Sequence, residues 1–128
     1  MRFATSVAGL AAVLATATLF VNSSTSIAAG DPAAGQHVFA RCVACHSTTP
    51  GENKIGPSLA DVVGRKSGTV AGYSYSPAMK GANITWDDAA LDKFLAAPAG
   101  FVHGTKMFLS IPSSADRQNV IAYLDTLK

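Results

Sequence analysis

The run Cys42-Val43-Ala44-Cys45-His46 constrains this chain more than any other feature. At the end of a helix, positions three and four apart share a face, so two thiols and an imidazole project from a single turn. That spacing is the attachment pattern of a c-type haem, in which one turn supplies two covalent anchors and an iron ligand. Two cysteines could otherwise form a structural disulfide, a thioredoxin-like redox pair or half of a zinc site. A redox pair of that kind wants a βαβ pattern, which is missing. Zinc wants two further ligands, where only His37 and His103 could serve.

Length and charge narrow the function class. With 128 residues there is room for one compact domain and no second core, which excludes a multidomain enzyme. Ten basic and eight acidic residues leave a formal charge of +2, and Arg65-Lys66 is the only adjacent basic pair, so a nucleic-acid footprint is absent. The 48% hydrophobic content is inflated by the first 29 residues. There Arg2 precedes an apolar stretch from Val7 to Val21, followed by a polar segment and a small-residue end, Ser26-Ile27-Ala28-Ala29-Gly30. This predicts a secretory signal over 1–29, cleaved after Ala28 or Ala29, and a mature domain over 30–128. The alternative is an uncleaved membrane anchor, although an apolar run of about 15 residues falls short of the roughly 20 that span a bilayer.

Asp31-Pro32-Ala33-Ala34 predicts a first helix, with an acidic N-cap and proline where its missing N–H costs nothing. It carries Gly35 and Phe39 on one face and is expected to run into Cys42 and His46 before Thr48-Thr49-Pro50-Gly51 ends it. From Gly51 to Asn83 no helical period is sustained, which predicts loop with one helical turn around Leu59 to Val63. So long a loop in so small a domain makes sense only if it wraps a group that serves as core. Thr85-Trp86-Asp87-Asp88 reads as a capping box for a helix carrying Leu91, Phe94 and Leu95 and stopped by Pro98. Ser113-Ser114-Ala115-Asp116 opens the last helix, with Val120, Tyr123, Leu124 and Leu127 as its apolar stripe.

An iron held by one histidine needs a sixth ligand or stays open to small molecules. Met107, in the Gly104-Thr105-Lys106-Met107 loop, is the candidate, because a core-filling role is less natural there than on a helix face. Met79, in the long loop, is the weaker contender.

Taken together, residues 31 to 127 resemble the class I cytochromes c of the mitochondrial and bacterial cytochrome c2 type. Beyond the attachment run, the resemblance rests on Gly35 and Phe39, Ile55-Gly56-Pro57-Ser58-Leu59, Val63-Gly64-Arg65-Lys66-Ser67-Gly68 and Tyr73-Ser74-Tyr75. It continues through Ile84-Thr85-Trp86, Gly104-Thr105-Lys106-Met107 and Ile121-Ala122-Tyr123-Leu124. It implies an all-α fold of three to four short helices and long loops around one covalent haem c, with the first and last helices crossing at Gly35. It further implies attachment through Cys42 and Cys45 and axial ligation by His46 and Met107. The Pro57 carbonyl would accept the second imidazole N–H, and Arg65, Tyr75 and Trp86 would face the propionates. Phe94, Thr105, Lys106 and Leu109 would complete the pocket.

The function implied is a single-electron carrier, not an enzyme, monomeric and periplasmic. It would serve a bc1-type reductase, a terminal oxidase or another periplasmic oxidoreductase, and would meet a membrane only through those partners or an uncleaved anchor. The competing readings are a haem enzyme or small-ligand sensor with a labile methionine bond, and a fixed subunit of a larger oxidoreductase. Three positions depart from the family pattern. Phe94 stands where a tyrosine commonly donates to the methionine sulfur, which predicts a lower potential. His103 stands where a proline is common, four residues from Met107, and could replace it at elevated pH. Ala99 and Gly100 thin the usual lysine ring, leaving Lys54 and Lys106, which predicts weak electrostatic steering.

Overall fold

A computed structural model of the chain describes residues 30–128; the expected signal at 1–29 lies outside the described residues. Among the described residues five helices follow one another: α1 (Pro32–Phe39), α2 (Pro77–Gly81), α3 (Asp88–Ala96), α4 (Pro98–Phe101) and α5 (Ser114–Asp125). The one β feature among the described residues is an isolated antiparallel bridge between Lys66 and Thr85.

The helix starts follow local chemistry. The Asp31 carboxylate accepts from the Ala33 N–H at 2.9 Å, with Pro32 opening α1. Ser113 does the same for Asp116 at α5. For α3 the cap is Asp87, which accepts from Ala90 at 2.8 Å, rather than Thr85, which is taken up by the bridge to Lys66. Pro98 ends α3 as expected, but it also occupies the first position of α4, where a fixed φ favours a new turn.

Two further expectations need correction. The first helix does not reach the cysteines. After Phe39 the N–H groups of Ala40, Arg41 and Cys42 donate three residues back, to His37, Val38 and Phe39, in the tighter 3₁₀ pattern. The stretch from Gly51 to Asn83 is likewise not all loop, because Ser76 accepts from Met79 at 3.1 Å and starts α2. The helical turn expected at Leu59 to Val63 is absent as a helix. Asp61 takes a left-handed φ of 57°, which breaks it after the Val62 to Leu59 hydrogen bond.

The frame is set where α1 crosses α5. A Cβ on Gly35 would stand 1.9 Å from the Asn119 carbonyl oxygen, so only glycine permits that approach. Phe39 packs on Tyr123 with ring centroids 5.0 Å apart. Arg117 ties α5 to α3 through Asp92 at 2.7 Å and holds the incoming strand of chain through the Ile111 and Pro112 carbonyls. Phe39, Val120 and Leu124 from this crossing, with Leu91, Phe94 and Leu95 from α3, turn their buried side chains toward a shared hollow instead of closing on one another.

Candidate functional site

That hollow is a cavity of about 520 Å³. Most of its lining is apolar, surface that a large apolar group would take out of water at about 25 cal/mol per Å². The fold therefore calls for a large apolar group as its centre. All twelve residues singled out in the sequence border it: Cys42, Cys45, His46, Pro57, Arg65 and Tyr75, then Trp86, Phe94, Thr105, Lys106, Met107 and Leu109.

The attachment run is built from turns. Cys45 N–H donates to the Cys42 carbonyl at 3.1 Å and His46 N–H to the same oxygen at 2.9 Å, so residues 42 and 45 nearly eclipse and face the same side. Both cysteines are free of a disulfide. Burial pushes the Cys42 thiol above its ordinary pKa, against the lowering effect of Arg41, which disfavours a reactive thiolate. No group of three or more His, Cys, Asp or Glu side chains is gathered among the described residues, so the zinc reading has no support. His37 and His103 are both exposed, and neither borders the cavity.

His46 is fixed on two sides. Its Nδ1 lies 2.7 Å from the Pro57 carbonyl oxygen, which can only accept, so Nδ1 carries the proton and Nε2 keeps its lone pair for a metal. A Cβ on Gly56 would stand 2.3 Å from the ring's Cε1, so the glycine lets the backbone lie flat against the imidazole. Burial lowers the His46 pKa, opposed by the Pro57 hydrogen bond and reinforced by the Arg65 charge, which keeps the ring in its neutral, ligating form.

The remaining polar groups show what the occupant must carry. Arg65 spends one terminal nitrogen on the Ser58 and Ala60 carbonyls at 3.0 and 3.1 Å, while its buried Nε has no partner. An unpaired guanidinium N–H at an apolar cavity suits a carboxylate on the bound group. The Tyr75 hydroxyl accepts from Val70 N–H at 3.1 Å, leaving its own proton to donate. Buried Thr105 accepts from Met107 N–H at 3.3 Å. Trp86 is buried against Phe94 at 5.0 Å. Met79, on α2, also borders the cavity as a buried core residue. One turn bearing two thiols, a neutral imidazole, a thioether and an orphaned guanidinium together fit a haem with its propionates.

Beyond the lysines Lys54 and Lys106, the cavity mouth carries two exposed apolar side chains that the motifs do not mark as surface. Ile55 is 76% exposed and Phe108 is 86% exposed, yet both border the cavity. Their signal was positional: one immediately precedes Gly56-Pro57 and the other immediately follows Met107.

Comparison with known proteins agrees with this geometry. The family model described as cytochrome c matches residues 32–128. A cytochrome c2 from Rhodoblastus acidophilus is 49% identical over 102 residues, covering 78% of this chain and 95% of that one. A cytochrome c from Euglena viridis is 50% identical over 101 residues, covering 77% and 99%. Among solved structures, cytochrome cH from Methylobacterium extorquens superposes with a TM-score of 0.71 at 45% identity, covering 76% of this chain and 99% of that one. Cytochrome c2 from Rhodospirillum centenum gives 0.74 at 32% identity, covering 77% and 98%. With its family model spanning nearly all the described residues, a cavity built for one covalent haem c and relatives at about half identity, the chain belongs to the class I c-type cytochromes, electron carriers rather than enzymes.

Proposed function

We propose that Cys42 and Cys45 carry haem c as thioethers, that His46 and Met107 are the axial ligands, and that Arg65, Tyr75 and Trp86 receive the propionates. The observation that carries this reading is the convergence of all these side chains on one cavity, with the His46 ring locked by Pro57 and Gly56 so that only Nε2 is left to ligate. Bound there, haem c supplies a one-electron Fe(III)/Fe(II) couple. The chain's own contribution is to fix both axial positions in protein, to exclude water with Phe94, Leu91 and Leu95, and to favour the less charged state by burial and a soft thioether. Both effects raise the potential.

The partners are redox proteins. The finer assignment is a bc1-type reductase as donor and a terminal oxidase or another periplasmic oxidoreductase as acceptor. The carrier would act as a monomer in the periplasm after removal of residues 1–29. Docking rests on the exposed Ile55 and Phe108 beside Leu109, with Lys54 and Lys106 as the nearby lysines. Both lysines are bonded to backbone carbonyls of this chain, Lys54 to Val43 at 3.2 Å and Lys106 to Ser74 at 2.6 Å. With so few lysines beside the mouth, association should change by less than about tenfold between low and physiological salt, well below the range of strongly steered pairs.

An optical spectrum of the holoprotein tests the ligand set. The expected result is a c-type reduced α-band with the weak near-infrared sulfur-to-iron band in the oxidised form, the latter lost in Met107→Ala and kept in Met79→Leu. Loss of that band in Met79→Leu with retention in Met107→Ala would reverse the assignment.

A further inference from the structure

The peptide unit between Pro57 and Ser58 is gripped at both ends. Its carbonyl oxygen, on Pro57, lies 2.7 Å from His46 Nδ1, and its N–H, on Ser58, donates to Asn53 Oδ1 at 3.0 Å. The Asn53 amide has a fixed orientation, because its Nδ2 donates to the Ala71 carbonyl at 3.0 Å and that oxygen can only accept. Nitrogen must face Ala71, so oxygen must face Ser58.

Ser58 has no freedom to find another arrangement. Its hydroxyl donates to the Thr49 carbonyl at 2.7 Å and accepts from Ala60 N–H at 3.2 Å, and its carbonyl accepts from Arg65 Nη1 at 3.0 Å. The residue is only 3% exposed, so bulk water cannot stand in for Asn53 at its N–H. Hydrogen bonds at the two ends of one amide reinforce each other, since an acceptor on the N–H shifts electron density onto the carbonyl oxygen and makes it a stronger acceptor. The His46 imidazole, the Pro57–Ser58 peptide and the Asn53 amide therefore form one hydrogen-bonded chain.

We propose that Asn53 is a positioning residue for His46, one that sets how much electron density the imidazole passes to the iron by polarising the Pro57–Ser58 peptide. The inference rests on the proposed ligation by His46. A stronger acceptor at Pro57 draws on the Nδ1 proton, makes Nε2 a better donor and favours Fe(III). Cooperative strengthening of about 10–30% per bond, acting on a hydrogen bond made away from water, amounts to a change on the order of threefold in the Fe(III)/Fe(II) equilibrium. At about 59 mV per tenfold for one electron, threefold is about 30 mV.

The test is a potentiometric titration of the holoprotein at neutral pH, with the His46 Nδ1 proton followed by NMR in the reduced form. Asn53→Ala removes both bonds of the amide and should raise the potential by about 30 mV while moving the Nδ1 proton resonance upfield. Asn53→Asp separates the two bonds. Its carboxylate still accepts from Ser58 N–H, more strongly than an amide does, but cannot donate to Ala71. It should hold the potential at or below the wild-type value and move the resonance downfield, even as the melting temperature falls. A residue that merely tied the fifties loop to the seventies would affect both variants alike. An unmoved potential in Asn53→Ala, or a rise in Asn53→Asp, would overturn the proposal. If Asn53→Ala folds poorly, Asn53→Asp against wild type still decides it, because an upfield shift there contradicts a polarised peptide. A His46 ring without hyperfine shifts in the oxidised protein would instead overturn the ligand assignment on which the inference rests.

Discussion

The wall that bears His46 and the wall that bears Met107 border one cavity but are held by different kinds of bond. Around His46 the backbone secures itself: Cys45 and His46 donate to Cys42, Gly56 donates back to Cys45 at 2.7 Å, and Leu59 donates to Ser47 at 2.9 Å. Gly56 then presses on the imidazole. Around Met107, among the described residues no backbone-to-backbone hydrogen bond involves residues 106 to 110, and the polar hold comes from the Thr105 hydroxyl on the Met107 N–H and from Lys106 and Arg41, which donate to the Ser74 and Ser110 carbonyls. Local backbone bonds form early and fail together, whereas a segment tied by exposed side chains opens by itself at small cost. On the proposed ligation, one ligand would be a fixture of the fold and the other adjustable.

The severest way to break this contrast is to remove the anchors on the rigid wall. Cys42→Ala/Cys45→Ala cannot hold haem covalently, and the apolar cavity then has no centre, so the chain should be largely unfolded by far-ultraviolet circular dichroism. A native helical signal with a cooperative melt would show that the His46 wall supports itself without the cofactor.

A paired substitution sharpens the contrast at smaller cost. In Gly56→Ala the new methyl would stand 2.3 Å from the imidazole, so the ring or the backbone must shift, at about 1–3 kcal/mol. For a domain of this size that lowers the melting temperature by roughly 4–8 °C per kcal/mol. Phe108→Ala, on the other wall, removes a ring that is 86% exposed and should change stability by no more than about 0.5 kcal/mol, while slowing reaction with the physiological redox partner. Equal melting temperatures for the two variants would erase the distinction.

The same contrast explains what could be read from the sequence. The attachment run, the Gly35 crossing and the caps of α1 and α5 are local patterns in which neighbouring residues decide the outcome, and these were legible. The start of α2 carries the same cap-then-proline signal as α1, but five residues in a glycine-rich stretch are too few to show a period. Pro98 read only as a stop because proline marks both the end of one helix and the first turn of the next. The side-chain bonds across the cavity mouth were not legible at all. Arg41 and Ser110 lie 69 residues apart, Lys106 and Ser74 lie 32 apart, and a backbone carbonyl leaves no trace in composition. Met107 could be placed by its motif, whereas the means of holding it could not.

The finest adjustment concerns the electronics of the flexible wall. Phe94 is buried at the cavity against Trp86 and offers no hydrogen-bond donor toward a thioether, so on the proposed ligation the Met107 sulfur would keep its full electron density for the iron and favour Fe(III). Phe94→Tyr would introduce such a donor. A hydrogen bond worth about 1 kcal/mol corresponds to roughly 40 mV for one electron, so the midpoint potential should rise by a few tens of millivolts. Because among the described residues no backbone-to-backbone hydrogen bond involves residues 106 to 110, that wall can yield to the added oxygen, and the melting temperature should hold nearly constant. Potentiometric titration of the two proteins decides the point: an unchanged or lower potential in Phe94→Tyr would mean that the hydroxyl does not reach the sulfur, and that the adjustable wall has moved away from it.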